Sequence, residues 1–352
     1  MLFDGCAFQD PHSGIARLWT GILAKWSESG FARHVIILDR AGTAPRSAGF
    51  TYIPAPPLRA YNAASTRSML QEVCAEVRAD VFMSSSYTTP GECRSLLYVY
   101  DMTPEALAWD VTGPLWRDKH RAIDHASAYV CLSHSTENDL RRLCPQTADR
   151  PSRVVLPGVD STFTPAPPGG VQGLIDTLDL PPVYFVFLGH RDHYKNADLV
   201  FDALSRLEAE TGYGLLLIGG RPELEPEFAA KARNVTVRIA RISDEDLRLA
   251  YSGAAALLYV SRYEGFGLPI IEAMACDCPV IACRNSSLPE AAGDAALFVG
   301  EDAPDELLDA MRAVTQPELR SDLVARGRSW SAGFSWERSA AGVEAALREV
   351  AR

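Results

Sequence analysis

The chain lacks several patterns that would assign it to a specialised class of protein. No apolar run reaches the roughly 18 residues that a membrane-spanning helix needs, and no basic and then apolar signal pattern opens the sequence. No G-x-G-x-x-G loop follows a predicted strand, which argues against a dinucleotide-dependent dehydrogenase. Internal repeats and low-complexity tracts are also absent from the sequence.

Paired cysteines are missing as well. The eight cysteines contain no C-x-x-C pair, and the cluster of Cys276, Cys278 and Cys283 has the spacing of no common zinc site. We interpret the cysteines as buried free thiols in a reducing compartment, which predicts a cytoplasmic protein. We expect no metal and no cofactor.

Basic residues are outnumbered. The 34 Lys and Arg against 45 Asp and Glu give a net charge of −11, which disfavours nucleic acid as a partner. The first 160 residues are nearly neutral, and the acidic excess lies in the remainder. A near-neutral first half leaves peripheral contact of the N-terminal domain with a membrane open, although no basic amphipathic helix stands out.

The length of 352 residues suits two domains, and short apolar stretches alternate with helical patterns in both halves. Strand-length stretches lie at 1–3, 35–38, 81–83, 96–100, 128–132, 154–156, 184–188, 215–218, 235–239, 255–260, 279–282 and 296–299. Helical patterns in the first half include 15–26, 69–77 and 135–143. This alternation predicts an α/β fold of two Rossmann-like domains with doubly wound parallel sheets.

Proline and glycine mark the boundary between the two domains. Residues 157–160 and then 165–170 form the clearest break in composition and predict a linker. We therefore expect an N-terminal domain at 1–160 and a C-terminal domain at 171–330. The two would face each other across a cleft, with a ligand at the C-terminal ends of the strands.

The most informative segment surrounds two glutamates, Glu264 and Glu272. An apolar strand precedes them, Pro269 suits the first turn of a helix, and we expect Glu272 about two turns into that helix. Glycines let a backbone approach a ligand closely, and the first amides of a helix form an anion site. One carboxylate would hold sugar hydroxyls, the other a ribose, and a diphosphate would lie over the helix start. The residues between the glutamates with a predicted substrate contact are Gly265, Phe266, Gly267 and Leu268.

A second segment places two cations after the first strand of the C-terminal domain. Gly189 opens a turn that carries Arg191 and Lys195 before a helix. An arginine fork, a lysine point charge and a helix N-terminus together suit a diphosphate leaving group, whereas the same residues alone would fit a solvated loop. His190 and His193 lie nearby without a spacing that indicates a metal.

The acidic triplet at residues 244–246 formally reads D-x-D, a pattern that holds a divalent ion in some transferases. It follows Ser243 at a predicted helix start, where acidic side chains complement the helix dipole. We therefore predict helix capping there and no metal.

The segment from Glu264 to Glu272 resembles the E-x7-E signature of glycosyltransferase family 4, a group of retaining enzymes with the GT-B fold. Residues 243–247, 279–282, 288–290 and 334–337 resemble further segments of that family in the same order. The resemblance implies that the final segment, 331–352, is a helix that crosses back to the N-terminal domain. It also matches Arg191 and Lys195 to the family's basic residues.

In the N-terminal domain the resemblance implies four site residues. Gly14 and Arg17 match the family's glycine loop, although an ordinary turn between strand and helix explains them equally well. Tyr100 and Asp101 stand where many members carry His-Asp. Tyr100 departs from that pattern, and the alternative role of Asp101 is to cap the turn at 103–108.

These inferences predict a metal-independent retaining glycosyltransferase. Arg191, Lys195, Glu264 and Asp101 are its predicted catalytic residues, and Gly14, Arg17, Tyr100, residues 265–268 and Glu272 bind substrate. The resemblance to enzymes of bacterial surface-polysaccharide synthesis implies a nucleotide-sugar donor, GDP-mannose first and a UDP-sugar next. The acceptor would be a glycan or lipid-linked glycan hydroxyl. Two alternatives stay open: a glycan phosphorylase of the same fold, and a degenerate member that binds sugars or acts as a scaffold.

Overall fold

The computed structural model describes residues 1–58, 64–191, 193–207 and 212–352. The chain divides into two compact units. Unit 1 consists of Met1–Gly158 and Ser335–Arg352, and unit 2 consists of Val159–Phe334. Within the described ranges, no helix combines the length and the apolar character needed to cross a bilayer.

Unit 1 is built on a seven-stranded parallel sheet in the order β3-β2-β1-β4-β5-β6-β7. The order reverses between β1 and β4, as in other doubly wound sheets. Its strands are Leu2–Asp4 (β1), Ile36–Arg40 (β2), Thr51–Ala55 (β3), Phe82–Ser84 (β4), Ser95–Val99 (β5), Ala128–Cys131 (β6) and Ser152–Val154 (β7). Its first helices are Gly14–Ser29 (α1), Ala64–Glu76 (α2), Thr103–Ala106 (α3), Pro114–His125 (α4) and His134–Leu143 (α5).

Unit 2 repeats this plan with a six-stranded parallel sheet in the order β10-β9-β8-β11-β12-β13. Its strands are Val183–Leu188 (β8), Tyr213–Ile218 (β9), Thr236–Ala240 (β10), Ala256–Tyr259 (β11), Val280–Cys283 (β12) and Leu297–Val299 (β13). Its helices are Pro168–Leu178 (α6), Ala197–Leu204 (α7), Pro226–Lys231 (α8), Asp244–Gly253 (α9), Leu268–Ala275 (α10), Leu288–Ala292 (α11), Pro304–Ala313 (α12) and Pro317–Ser331 (α13). The reversal falls between β8 and β11.

The last helix, Trp336–Val350 (α14), belongs to unit 1. Ser335 caps it by accepting a hydrogen bond from the Arg338 amide at 3.3 Å. The Trp26 indole on α1 donates to a backbone carbonyl of α14, and the Trp336 ring packs so closely over Gly21 that a Cβ there would overlap it. A glycine at position 21 is therefore required by the contact between α1 and α14.

The fold class predicted from the sequence is confirmed in each unit: parallel strands alternate with helices, and the final helix returns to the first unit. Strand β3 was not predicted from the sequence. β3 lies at the sheet edge, pairs with β2 alone and is largely half-exposed, so it lacks a continuous apolar run. Its Pro54 is a residue that sheets tolerate at their edges.

The predicted linker was wrong at residues 165–170. α6 begins at Pro168, because a proline suits the first position of a helix. The stretch before it is bound to α9: the Ala166 amide donates to Ser252 at 3.0 Å, and Arg248 donates to the carbonyl of Thr164 at 2.9 Å. This segment is part of unit 2, and the division between the units falls at Gly158 and Val159.

Candidate functional site

The two motif segments of unit 2 leave neighbouring strands at the point where the strand order reverses. β8 ends at Leu188 and β11 ends at Tyr259. The backbone amide of Arg262 donates to the carbonyl of Tyr194 at 2.7 Å, which joins the two segments directly. In doubly wound sheets, ligands bind outside the carboxyl ends of the strands at this switch point.

An ion pair between Lys195 and Glu264 lies at the centre of this region. The Lys195 ammonium is 2.6 Å from Glu264 Oε1, and each side chain is only 13% exposed. The ammonium also lies 5.1 Å from the centre of the Tyr194 ring and 5.3 Å from that of Tyr259. Burial by itself would lower the pKa of Lys195, but the Glu264 carboxylate raises it above its ordinary value. The lysine is therefore charged at neutral pH.

The uncharged side chain of Tyr259 lies beside the ion pair of Lys195 and Glu264. Burial, and next the negative charge of Glu264, raise the pKa of the Tyr259 hydroxyl far above its ordinary value. The ring is 4% exposed at the end of β11. The pair is thus held in a largely water-excluded position, where an electrostatic interaction with a ligand is stronger than in open solvent.

Residues 265–268, which contain two glycines and which we call the glycine step, lead into a helix whose N-terminus lies at the same switch point. Gly267 has a φ of +112° and precedes α10, with Pro269 in its first turn as predicted. A Cβ at Gly267 would meet Ile270 at 3.2 Å, so close packing adds to the backbone requirement for glycine. Phe266 is buried and packs edge-on against Phe334, which leaves its backbone, and not its ring, to face a ligand.

Glu272 lies on the first helix after the glycine step. α10 begins at Leu268, so Glu272 is its fifth residue, just past one turn and not two turns in as the sequence predicted. The residue is 3% exposed. Its placement near the start of a helix at the switch point agrees with a contact to the nucleotide, and that contact stays a prediction.

Two serines that the sequence reading missed hold the Glu264 segment. They follow β12, the strand beside β11. The Glu264 amide donates to Ser286 Oγ at 3.0 Å, while Ser287 Oγ lies 2.8 Å from the carbonyl of Glu264 and 3.0 Å from that of Phe266. Ser287 is completely buried. A pair of serines in the loop that follows a strand at this sheet edge was the available signal in the sequence.

Arg191 lies on the same turn as Lys195 but is fixed by its surroundings. Its Nε donates to Glu225 at 2.7 Å, and its Nη2 donates to the carbonyls of Arg221 at 3.0 Å and Glu223 at 2.7 Å. The side chain is 1% exposed. Burial alone would raise the pKa of Glu225, and Arg191 brings it below the ordinary value. The structure therefore contradicts the alternative of a solvated loop for this side chain, and the predicted contact of Arg191 with a diphosphate stays a prediction.

The other four predicted residues belong to unit 1. Gly14 opens α1 and is exposed, Ser13 caps that helix by accepting from the Ala16 amide, and Arg17 is half-buried in the first turn. Tyr100 is buried: its hydroxyl accepts from the Trp19 indole at 2.6 Å and donates to the carbonyl of Ser85 at 3.1 Å. Both hydrogen-bonding capacities of that hydroxyl are used inside the unit, so these contacts give no support to a substrate contact.

Asp101 caps the turn that begins at residue 103, which was the alternative to a role in the site. Its Oδ1 accepts from the Thr103 amide at 2.8 Å at the start of α3. Helix capping is also confirmed for the acidic triplet, because Ser243 accepts from the Asp246 amide at 3.1 Å where α9 begins. Over the described part of the chain, no group of three or more His, Cys, Asp or Glu is arranged to hold a metal.

Comparisons with known proteins point to a glycosyltransferase family. Residues 176–330 match the sequence model of the family described as glycosyl transferases group 1. The O-antigen chain mannosyltransferase B of Escherichia coli is 30% identical over 227 residues, which cover 62% of this chain and 59% of that protein. The D-inositol 3-phosphate glycosyltransferase of Xylanimonas cellulosilytica is 32% identical over 251 residues, 66% of this chain and 60% of that protein. The chain thus spans about three fifths of the length of both relatives.

A solved structure of Anabaena HepE in complex with UDP-glucose resembles the whole chain. The TM-score is 0.74, the sequence identity is 13%, and the likeness covers 99% of both chains. At that identity the likeness concerns the fold alone. The GT-B fold class and the resemblance to glycosyltransferase family 4 are therefore confirmed, and the part of the chain that carries Lys195, Glu264 and Glu272 is the part that matches the model of the glycosyl transferases group 1 family.

Proposed function

We propose that this protein transfers a sugar from a nucleotide-sugar donor to a hydroxyl acceptor with retention at the anomeric carbon. The observation that carries the proposal is the buried pair of Lys195 and Glu264 at the switch point of unit 2, beside a helix that begins at a glycine. A cation beside a helix N-terminus suits the diphosphate of such a donor, and an anion at the same place suits its sugar hydroxyls.

Stabilisation of the leaving diphosphate is the main chemical task of unit 2. Negative charge grows on the diphosphate oxygens as the glycosidic bond breaks, and groups that meet this charge lower the barrier. Lys195 supplies a fixed positive charge, and the first amides of α10 supply the partial positive charge of a helix N-terminus. These groups are the basis on which we propose transfer without a metal.

The ion pair with Lys195 also holds the Glu264 side chain in position before the donor sugar binds. Without donor, the Lys195 ammonium donates a hydrogen bond to one oxygen of the Glu264 carboxylate. Ser286 and Ser287 bind the backbone of residues 264–266. An incoming diphosphate would share the ammonium, and Glu264 would turn to hydroxyls of the donor sugar. Glu272 would hold the ribose. Donor and protein would thereby satisfy each other's charges in a site that excludes water.

We infer that a departing phosphate oxygen takes the proton of the acceptor hydroxyl, so that the new bond forms on the face that the diphosphate leaves. We do not propose Glu264 as the nucleophile of the rival double displacement, because its carboxylate is assigned to Lys195 before the donor binds and to hydroxyls of the donor sugar afterwards. The protein then contributes mainly position and charge. Arg191, Gly14 and Arg17 are proposed contacts of the donor, and Asp101 is a proposed residue of the acceptor side.

The proposed donor is GDP-mannose first and a UDP-sugar next, and the proposed acceptor is a glycan or lipid-linked glycan of a surface polysaccharide. The mannosyltransferase relative supports the first donor, and the UDP-glucose complex of the structural neighbour supports the second. A second acceptor class is a phosphorylated polyol, which the D-inositol 3-phosphate glycosyltransferase relative favours. We place the reaction in the cytoplasm, where the free cysteines would stay reduced.

A panel of nucleotide sugars tests the proposal. We expect GDP-mannose or a UDP-sugar to raise the thermal unfolding midpoint, since a ligand of the native state stabilises it by mass action. The same donor should release nucleoside diphosphate when a polysaccharide fragment or inositol phosphate is added, and the product should keep the donor's anomeric configuration. Sugar release that depends on inorganic phosphate would indicate a phosphorylase, and binding without transfer would indicate a degenerate member.

A further inference from the structure

Two of the three nitrogens of the Arg191 guanidinium form hydrogen bonds with described residues, and the third does not. Nε binds Glu225, and Nη2 binds two backbone carbonyls of the loop that precedes α8. Nη1 is buried and has no hydrogen-bond partner among the residues that the structure describes. Because a buried unpaired donor costs free energy, its persistence calls for an explanation in terms of a ligand.

Two glycine backbones lie beside Nη1. A Cβ at Gly220 would lie 3.3 Å from Nη1 and 3.2 Å from the carbonyl of Gly189. Both glycines have positive φ, +72° and +115°; Gly189 directly follows β8, and Gly220 is the second residue after β9. The chain thus places backbone without side chains beside the one open amino group of Arg191. Close approach of a ligand to a backbone is a common reason for glycine at such positions.

We propose that Glu225 is a positioning residue, which fixes Arg191 so that Nη1 faces an anionic group of the donor diphosphate. The inference rests on the proposed function, because it takes the diphosphate as the ligand. Glu225 precedes α8, and its side chain is 22% exposed, whereas that of Arg191 is 1% exposed. The Glu225 carboxylate, which is the more exposed member of the pair, orients the Arg191 guanidinium through Nε. It thereby leaves Nη1 for the ligand.

The competing explanation is that the pair of Arg191 and Glu225 only fastens the loop to the sheet. Both explanations predict some loss of stability when the pair is broken. Only the positioning role predicts that loss of Glu225 weakens diphosphate binding through Arg191, with no effect once Arg191 is gone. A cycle of variants separates the two, because interaction energies between coupled residues are not additive.

The test uses the full chain with Glu225→Gln, which keeps the shape of the side chain and removes its charge. Glu227→Gln is the matched control, since Glu227 is exposed, lies two residues further on in the first turn of α8 and changes the net charge equally. We expect Glu225→Gln to lower kcat by about tenfold or more, as small misplacements of catalytic groups do, and to weaken nucleoside diphosphate binding in calorimetry. Glu227→Gln should match the wild-type protein in both measurements.

Arg191→Ala and the double variant Arg191→Ala/Glu225→Gln complete the cycle. We expect equal kcat and equal nucleoside diphosphate affinity in these two proteins. Equal activity of Glu225→Gln and Glu227→Gln would overturn the inference, and so would a further loss in the double variant. Failure of the proposed function looks different: the wild-type protein itself would bind no nucleoside diphosphate and transfer no sugar.

Discussion

Replacing Lys195 by methionine separates the role of its charge in catalysis from its role in stability. Methionine keeps most of the apolar stem of the lysine side chain but removes the ammonium that lies over the rings of Tyr194 and Tyr259. The substitution leaves the Glu264 carboxylate with 13% exposure and without its 2.6 Å partner. Breaking a buried ion pair by removing one member costs about 3–5 kcal/mol. Since both side chains keep some exposure to water, we expect a loss of about 3 kcal/mol in the free energy of unfolding.

The catalytic effect is predicted from the charge that grows on the leaving group. Removing one donor that meets such charge lowers kcat by about a hundredfold or more. That factor corresponds to roughly 2.7 kcal/mol of transition-state stabilisation. Because the loss arises in the transition state, kcat should fall together with kcat/KM, whereas a group that only docks the substrate would mainly change KM.

The double variant Lys195→Met/Glu264→Gln is the decisive control. It removes both charges, so its free energy of unfolding should return to within about 1 kcal/mol of the wild-type value, while kcat stays low. Urea denaturation and steady-state kinetics on the three proteins measure the two effects separately. If Lys195→Met kept the wild-type kcat and only raised KM, the assignment of Lys195 to the leaving group would be refuted.

Four further outcomes are expected. Glu272→Ala should weaken the binding of free nucleoside diphosphate by about 1.5–3 kcal/mol, the usual worth of a hydrogen bond to a charged group, and unchanged affinity in calorimetry would remove Glu272 from the site. Transfer should continue in excess EDTA; a rate that collapses on chelation and returns with magnesium or manganese would contradict metal independence. Ser287→Ala should lower kcat without abolishing folding, because its hydroxyl holds the carbonyls of residues 264 and 266, and Ser287→Thr should restore part of the activity if its extra methyl group fits; equal kinetics of Ser287→Ala and wild type would show that the hydroxyl does not position the segment. Burial raises the pKa of Cys6, Cys131 and Cys283 from the ordinary 9.0 to about 12, so the unfolded chain loses these protons first and the free energy of unfolding should fall as pH rises from 9 towards 12. A flat urea-denaturation midpoint over that range would contradict the burial of these thiols.

The sequence predicted those parts of the fold that depend on continuous burial. Strands of a parallel sheet are covered on both faces and appear as apolar runs, which is why the central strands of both units were found. β3 was missed because an edge strand needs no such run. The linker prediction failed at residues 165–170 because proline and glycine also begin helices, as Pro168 does here.

At the site, the sequence identified the residues that act within one local motif. Glu264, Glu272 and the glycine step are recognisable from their spacing, and Lys195 from its place after a strand. Their partners could not be predicted in this way. Ser287 reaches residue 264 only because β12 lies beside β11, and Glu225 reaches Arg191 from a loop 34 residues away. Contacts of this kind depend on strand order, which spacing along the chain does not encode.

The return of α14 to unit 1 has a consequence for the order in which the protein folds during synthesis. Unit 2 is continuous in sequence, whereas unit 1 is interrupted and completed only by residues 335–352. The face of α1 around Gly21 and Trp26, which α14 covers, therefore emerges from the ribosome more than 300 residues before its cover. The contact between α1 and α14 can form only after residues 335–352 have been synthesised, and the whole of unit 2 precedes them in the chain. Until then the face of α1 that carries Trp26 lacks its native cover, and transiently exposed apolar surface of this kind promotes aggregation of incompletely folded chains.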